Sequence, residues 1–393
     1  MNNKQMMNAN EAQERRFQHP YWLWEAMNRS YEVLQANLAD SESEKIECVV
    51  RKIVEIDPKH IFLLGTGSSG FAGMITAHAL NELTDIPASV YNTSEFGAYP
   101  PSFLGPDTVV IATSHSGETP GDIPVMELIH KKGAFLIGIT NYPESSLAKA
   151  VDLPLIGPNT PVLRLRLTRS YNGNILRGLQ IAVSLGKKIG HKDKAEALEE
   201  ELMKSPLVLR ECLEKYALIT PDIAKSLLDV PLFFMAAAGP NMSTAYEAAL
   251  GFYQGSGARA RALQIEEFLH GSIQAMREEM CLVAIAAPGP LQNRILRSVN
   301  AVQQFGAKVV LIGPKSKIEA FNPDVAIPMS DDLPELLTPV IYTAPLWQIG
   351  YHFSLLTGRD PDYMEMSESG HKKALASLMP EGSQFDRWAG RID

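Results

Sequence analysis

Short apolar runs separated by amphipathic stretches recur along the chain, and they predict strands alternating with helices. In the first half the runs fall near 61–64, 88–91, 108–113, 135–139 and 153–156. In the second they fall near 231–237, 262–265, 281–286, 308–312 and 324–327. Runs this short, with no polar alternation, suit strands buried on both faces, so parallel sheets with helices on both sides are expected. Regular exchange of strand and helix places the fold in the α/β class.

The two sets of runs align. The first strand ends at Gly65-Thr66-Gly67 in one half and at Ala238-Gly239-Pro240 in the other. The second ends at Ser94-Glu95-Phe96 and Glu266-Glu267-Phe268, the third at Ala112-Thr113-Ser114 and Ala286-Ala287-Pro288. The fourth begins at Gly133-Ala134 and Gly306-Ala307. The chain reads as a tandem of two equivalent sheet domains joined by helices between about 170 and 228. The expected division is a helical arm (1–44), a first sheet domain (45–200), a second (201–365) and a tail (366–393). The arm carries Tyr21-Trp22-Leu23-Trp24, aromatic anchors expected to clasp a partner subunit.

Chemistry is concentrated in the first half. The apolar run Val109–Ala112 stops at Ser114, Ser116 and Thr119, with Gly117 among them and Glu118 and Pro120 opening a helix. Small hydroxyl donors and free helix N–H groups at such a turn suit an anion, and the expected guest is a phosphate on a small molecule. One hydroxyl suffices to cap a helix, so three exceed that need. Ile61–Leu64 likewise runs into Gly65-Thr66-Gly67-Ser68-Ser69-Gly70. The bare glycine spacing matches a dinucleotide fingerprint. The next strand, however, ends at Asn92 with no carboxylate before Glu95 to hold a ribose, so Ser68 and Ser69 are read as phosphate ligands instead.

Composition narrows the partners. With 36 basic against 45 acidic residues the net charge is −9, and no basic run overrides it, so nucleic acid is not expected. Cys48, Cys212 and Cys281 lie far apart, unlike a zinc site or a disulfide frame. No apolar run approaches the ~20 residues of a membrane span. The polar start Met1-Asn2-Asn3-Lys4-Gln5 lacks a signal-peptide core. A cytoplasmic protein with no metal, cofactor or membrane partner is expected.

Gly65-Thr66-Gly67-Ser68-Ser69, Ser94-Glu95-Phe96, Ser114-His115-Ser116-Gly117-Glu118-Thr119 and Leu269-His270-Gly271 together resemble the double sugar-isomerase (SIS) domain family over most of residues 45–365. Thr338–Leu346 and Tyr351-His352 extend the likeness. The family includes the isomerase half of glucosamine-6-phosphate synthase, galactosamine-6-phosphate deaminase/isomerases and fructosamine-6-phosphate deglycases. The resemblance implies two flavodoxin-like sheets. It also implies that Ser68, Ser69, Ser114, Ser116 and Thr119 hold the 6-phosphate of an amino or keto sugar, beside Gly67. Thr168 would approach the sugar. His270 would act on the ring within a partner subunit's site, which implies a homodimer or larger homo-oligomer.

Glu267 and His270 stand i, i+3, a spacing at which a carboxylate could set the imidazole tautomer and leave its other nitrogen for acid–base work. A helix-dipole carboxylate beside a surface histidine fits the same spacing. His115 is open between ligand contact and packing, and Lys372 between a Schiff-base or lid role and a solvated tail. The family's catalytic Glu, sixteen residues before the His, falls on Gln254 here, and an amide takes no proton from carbon. The expectation is therefore C–N cleavage of a 6-phosphorylated amino sugar or fructosamine 6-phosphate, of deglycase or deaminase/isomerase type. A non-catalytic phosphosugar sensor and a plain aldose–ketose isomerase are the alternatives.

Overall fold

A computed structural model describes residues 16–119, 121–158, 168–362 and 369–378. The described residues gather into two compact units. One runs to Glu196 and takes in the segment from Asp360 on; the other is Ala197–Arg359.

In the first unit, β1 (His60–Gly65), β2 (Ala88–Asn92), β3 (Thr108–Thr113), β4 (Phe135–Thr140) and β5 (Leu153–Ile156) form one sheet in the order β2-β1-β3-β4-β5. Every pairing is parallel. Alternate residues feed opposite faces. Phe62, Leu64, Val110, Ala112 and Leu136 join Phe96, Val125, Met126 and Leu147 from the helices Thr93–Ala98, Asp122–Lys132 and Ser146–Ala150. On the other face Gly73, in the helix Ser68–Leu83, approaches Leu63 so closely that an added Cβ would lie 3.5 Å from the Leu63 Cβ. Thr168–Ile189 packs along Ser68–Leu83 and is buried nearly all round, with Ile175, Leu176, Leu179, Ile181 and Ala182 fully enclosed. The apolar runs were legible for this reason: a strand covered on both sides needs no polar alternation.

The second unit repeats the plan. Its strands are β6 (Phe233–Ala237), β7 (Ala260–Gln264), β8 (Cys281–Ile285), β9 (Lys308–Pro314) and β10 (Val325–Met329), in the order β10-β9-β8-β6-β7, again all parallel. Read from β7, this is the order of the first sheet. Phe234 meets Phe268 at 5.7 Å between ring centroids, as Phe62 meets Phe96 at 5.2 Å. The helix Thr338–Leu356 packs on Met242–Ser256, with Gly350 close against Phe252.

Strand pairing corrects the alignment of the halves. Gly65 pairs with Asn92, and Ala237 with Gln264; Asn92 and Gln264 each cap the following helix by accepting from the N–H of Ser94 or Glu266. Gly65 therefore matches Ala237, not Ala238, and Gly67 matches Gly239. Likewise the N–H of Ser114 donates to Ile139 and that of Ala286 to Ile312, so Ser114 matches Ala286 and Gly117 matches Gly289. Tripeptides of small residues can slide by one or two places; a ladder cannot.

The N-terminal arm folds onto its own unit. The helices Trp22–Asn28 and Tyr31–Asn37 pack on Thr168–Ile189 and bury Leu23, Ala26, Met27, Val33 and Leu34. The Asp362 carboxylate accepts the N–H groups of Trp22 and Leu23 at 3.0 and 2.7 Å, tying down the first turn. Much of the arm's apolar surface is thus used within the unit. Among the described residues no helix is long and apolar enough to cross a membrane.

Candidate functional site

In the first sheet β1 lies between β2 and β3, and the helices that follow β1 and β3 go to opposite faces. Their loops part at the carboxyl ends of the strands, where open parallel sheets place ligands. Gly65 and Gly70 touch backbone to backbone in the first loop. A Cβ on Gly65 would stand 2.6 Å from the Gly70 nitrogen, and one on Gly70 2.9 Å from the Gly65 carbonyl oxygen. The glycine spacing that mimics a dinucleotide fingerprint therefore serves a tight strand-to-helix turn. Gly67, at φ +58°, faces open space, and Ser68 and Ser69 begin the helix. The Ser68 Oγ is buried and, among the described residues, has no hydrogen-bond partner.

The second loop is a closed hydrogen-bonded turn. The Ser114 Oγ accepts the Gly117 N–H at 3.1 Å and shares a hydrogen bond of 2.9 Å with the Thr119 Oγ1. The Ser116 Oγ accepts the Glu118 N–H at 3.2 Å. The Glu118 carboxylate turns away from the serines and accepts from both the N–H and the Oγ of Ser146 at 2.8 and 2.7 Å. It fastens the loop to the helix Ser146–Ala150. Gly117 sits at φ +65° with a Cβ position 2.3 Å from the Ser145 Oγ, so no other residue fits there. Ser68, Ser69, Ser114, Ser116 and Thr119 thus come from two adjacent loops joined through the β1–β3 pairing.

Three groups surround this crevice: His115, which the sequence had offered, and the buried Asp122 and Arg177, which it had not. Asp122, the first residue of its helix, is buried, and burial raises its carboxyl to about 6 against a smaller opposing pull from Thr119. His115 has its Nδ1 buried with no hydrogen-bond partner among the described residues; burial, opposed by the Asn141 side chain and joined by a lesser push from Arg177, holds the ring down at about 4 and so neutral at pH 7. Its carbonyl accepts from the Asn141 N–H and the Thr140 Oγ1, each at 3.2 Å. Arg177 is only 2% exposed. Its Nε donates to the Asn37 Oδ1 at 2.9 Å and its Nη1 reaches the Asn141 Oδ1 at 3.5 Å. A lone charge in an apolar helical stretch was the available signal. The side chains of Thr168 and Lys372 lie outside the described residues.

The remaining candidates belong to the second unit. His270 follows the short helix Ile265–Leu269 and is largely exposed. The carboxylate beside its Nε2 is Glu266, at 3.5 Å, while Glu267 is exposed. In place of the expected i, i+3 pairing with Glu267 the structure has i, i+4, with His270 capping the helix that ends at Leu269. Glu266 also takes both the Nε and Nη2 of Arg294, at 2.7 and 2.9 Å, which holds its carboxyl below the usual range. Gln254 is half-buried in the last turn of Met242–Ser256.

The second sheet's own crevice is filled from within. Gly239 (φ +54°) and Gly289 (φ +145°), the matches of Gly67 and Gly117, both face the Glu335 carboxylate. A Cβ on Gly239 would stand 3.1 Å from the Glu335 Oε1, and one on Gly289 2.3 Å. Pro240, Ala286 and Pro288 stand where the first unit has Ser68, Ser114 and Ser116. Among the described residues no group of three His, Cys, Asp or Glu side chains gathers to hold a metal ion.

Residues 56–171 match the SIS domain model. The matched residues hold the first sheet, and the second sheet repeats its strand order. It is 28% identical over 321 residues to glutamine–fructose-6-phosphate aminotransferase (isomerizing) of Thermococcus kodakarensis, covering 81% of this chain and 52% of that protein. The chain spans about half the length of the curated relatives it matches. In fold it is similar to the C-terminal domain of glucosamine-fructose-6-phosphate aminotransferase from Francisella tularensis, with a TM-score of 0.76 at 20% identity, over 90% of this chain and 99% of that one. Tagatose-6-phosphate ketose/aldose isomerase from Escherichia coli gives a TM-score of 0.72 at 17% identity, over 87% and 95% of the two chains.

Proposed function

We propose that the protein is an enzyme acting on a 6-phosphorylated amino sugar or a fructosamine 6-phosphate, cleaving C–N in the manner of a deglycase or deaminase/isomerase. The observation that carries this reading is the two-loop crevice of Ser68, Ser69, Ser114, Ser116 and Thr119, with the buried Ser68 Oγ unpartnered among the described residues. Hydroxyls and helix N–H groups offered together suit a phosphate monoester. The phosphosugar names of the relatives agree with it. Phosphate binding remote from C1 and C2 would orient the reacting carbons. His270, exposed beside Glu266, is the acid–base group for ring opening, with Glu267 as a second carboxylate. Gly67, His115, Thr168, Gln254 and Lys372 are the further substrate contacts. No cofactor is required, since enediol chemistry needs only acid and base groups. A homo-oligomer, in which His270 serves another subunit's crevice, and a cytoplasmic location belong to the same reading.

A second reading, a phosphosugar sensor without catalysis, is favoured by Gln254, an amide at the position the family gives to its catalytic carboxylate. An assay of free amine or ammonia separates the two. Glucosamine 6-phosphate and fructosamine 6-phosphates of several amino acids are supplied to the wild type and to His270→Ala. Amine release lost in the variant supports the enzyme. Thermal stabilisation by the same compounds without turnover supports the sensor, and ketose–aldose interconversion without amine release points to a plain isomerase.

A further inference from the structure

We infer that Arg177 is the charge-balancing residue of the phosphate crevice, acting from behind the Ser114–Thr119 loop through Asn141 and His115 without touching the ligand. The inference rests on the phosphate reading given above.

Buried charges in folded proteins are ordinarily paired. Arg177 departs from that pattern. Both of its hydrogen-bond partners are neutral amide oxygens, of Asn37 and Asn141. Among the described residues no carboxylate stands within ion-pair distance; the acidic group that acts on it is Glu42, itself held by Lys45 at 2.8 Å. Burial pulls the guanidinium down to about 10, so it remains a full cation at pH 7. Its backbone surroundings are close: a Cβ on Gly157, just past β5, would stand 1.5 Å from the Nη2, so the glycine makes room for the charge.

The cation is linked to the crevice by one side chain. Asn141 receives the guanidinium on its Oδ1 and gives its backbone N–H to the carbonyl of His115, which lies between the two phosphate-loop serines. The charge is felt there, since it helps keep the His115 ring neutral. The loops themselves supply only hydroxyls and N–H groups, which bind a dianion without neutralising it. Charge interactions through a buried path are screened far less than surface ones. A dianion in the crevice would therefore settle an otherwise unbalanced cation, and the cation would in turn hold the dianion.

The test is calorimetric titration with inorganic phosphate. Wild type, Arg177→Met, Arg177→Lys, Asn141→Asp and Ser116→Ala are compared at low salt and at 0.5 M NaCl. Phosphate should bind Arg177→Met at least about tenfold more weakly, with the deficit kept in high salt because the charge is buried. Arg177→Lys, which keeps the charge, should stay within about threefold of the wild type. Asn141→Asp puts a carboxylate beside the guanidinium at nearly unchanged shape, and should also weaken binding about tenfold. It carries the test if Arg177→Met fails to fold. Arg177→Met or Asn141→Asp binding within twofold of the wild type, while Ser116→Ala loses phosphate, overturns the role of Arg177 and leaves the phosphate site standing. No phosphate binding by the wild type overturns both.

Discussion

Asp152 and Asp324 do the same job in the two sheets. The Asp152 Oδ2 accepts the Leu136 N–H at 2.8 Å, and the Asp324 Oδ2 accepts the Val309 N–H at the same distance. Each carboxylate precedes the fifth strand of its sheet and holds the second residue of the fourth. Both are exposed, so the charge is partly satisfied by water and each bond contributes about 1 kcal/mol. Asp152→Ala and Asp324→Ala should lower stability by similar amounts in urea unfolding. A cost confined to one of them would mean that the repeat is one of shape and not of energetics.

Ser116→Ala and Ser114→Ala should part company. The Ser116 Oγ makes one local bond, so its loss should weaken phosphate binding about tenfold while shifting the melting temperature little. The Ser114 Oγ accepts from Gly117 and bonds to Thr119, so its loss should weaken binding and also cost about 1 to 2 kcal/mol of stability. Phosphate titration and thermal unfolding on both variants check this.

Two buried groups beside the crevice give opposing dependences on pH. Asp122 has its carboxyl raised from 3.8 to about 6, so its contribution to stability is full below the unfolded value and is lost as pH rises through 6. His115 has its ring lowered from 6.5 to about 4, so its contribution is present above 6.5 and lost as pH falls through 4. Each amounts to roughly 3 kcal/mol, and between pH 4 and 6 the two slopes nearly cancel. Relative to the wild type, Asp122→Asn should lose stability on acidification across that window, and His115→Gln should lose it as pH rises. Parallel profiles for the two variants would refute the assignment. Bound phosphate disfavours a nearby carboxylate, so Asp122→Asn should also tighten phosphate binding above pH 6.

Gly289 and Gly67 share a left-handed backbone but not a neighbour. Gly289→Ala must displace the Glu335 carboxylate and hold φ +145°, at a cost of about 2 to 4 kcal/mol. Gly67→Ala meets nothing within 4 Å and should cost only its backbone strain, about 1 to 3 kcal/mol at φ +58° and ψ −134°. Adding Glu335→Ala to Gly289→Ala should recover part of the loss, a coupling read from a double-mutant cycle.

Strands, topology class and the serine crevice were legible because each depends on local composition. A strand covered on both faces is apolar throughout, and Ser114, Ser116 and Thr119 cluster within six positions. What escaped depends on who meets whom in space. Arg177 and Asp122 carry no motif; their character comes from burial under residues distant in the chain. Glu335 lies 96 positions after Gly239 in the sequence, yet it fills that glycine's turn. The i, i+3 spacing of Glu267 and His270 assumes a continuous helix, whereas the helix ends at Leu269, His270 caps it and Glu266 lies beside the ring. The halves were matched by their small residues, and hydrogen-bond ladders moved the match by one place at Gly65 and two at Ser114.

The carboxylate of Glu335 changes what duplication gives this chain. A ligand delivered on the protein's own backbone is present at an effective concentration of order millimolar or higher, and dilution cannot lower it. The chain therefore carries two copies of one architecture that differ in a single respect: the turns at Gly239 and Gly289 are already met by the chain's own carboxylate, whereas Gly67 faces open space.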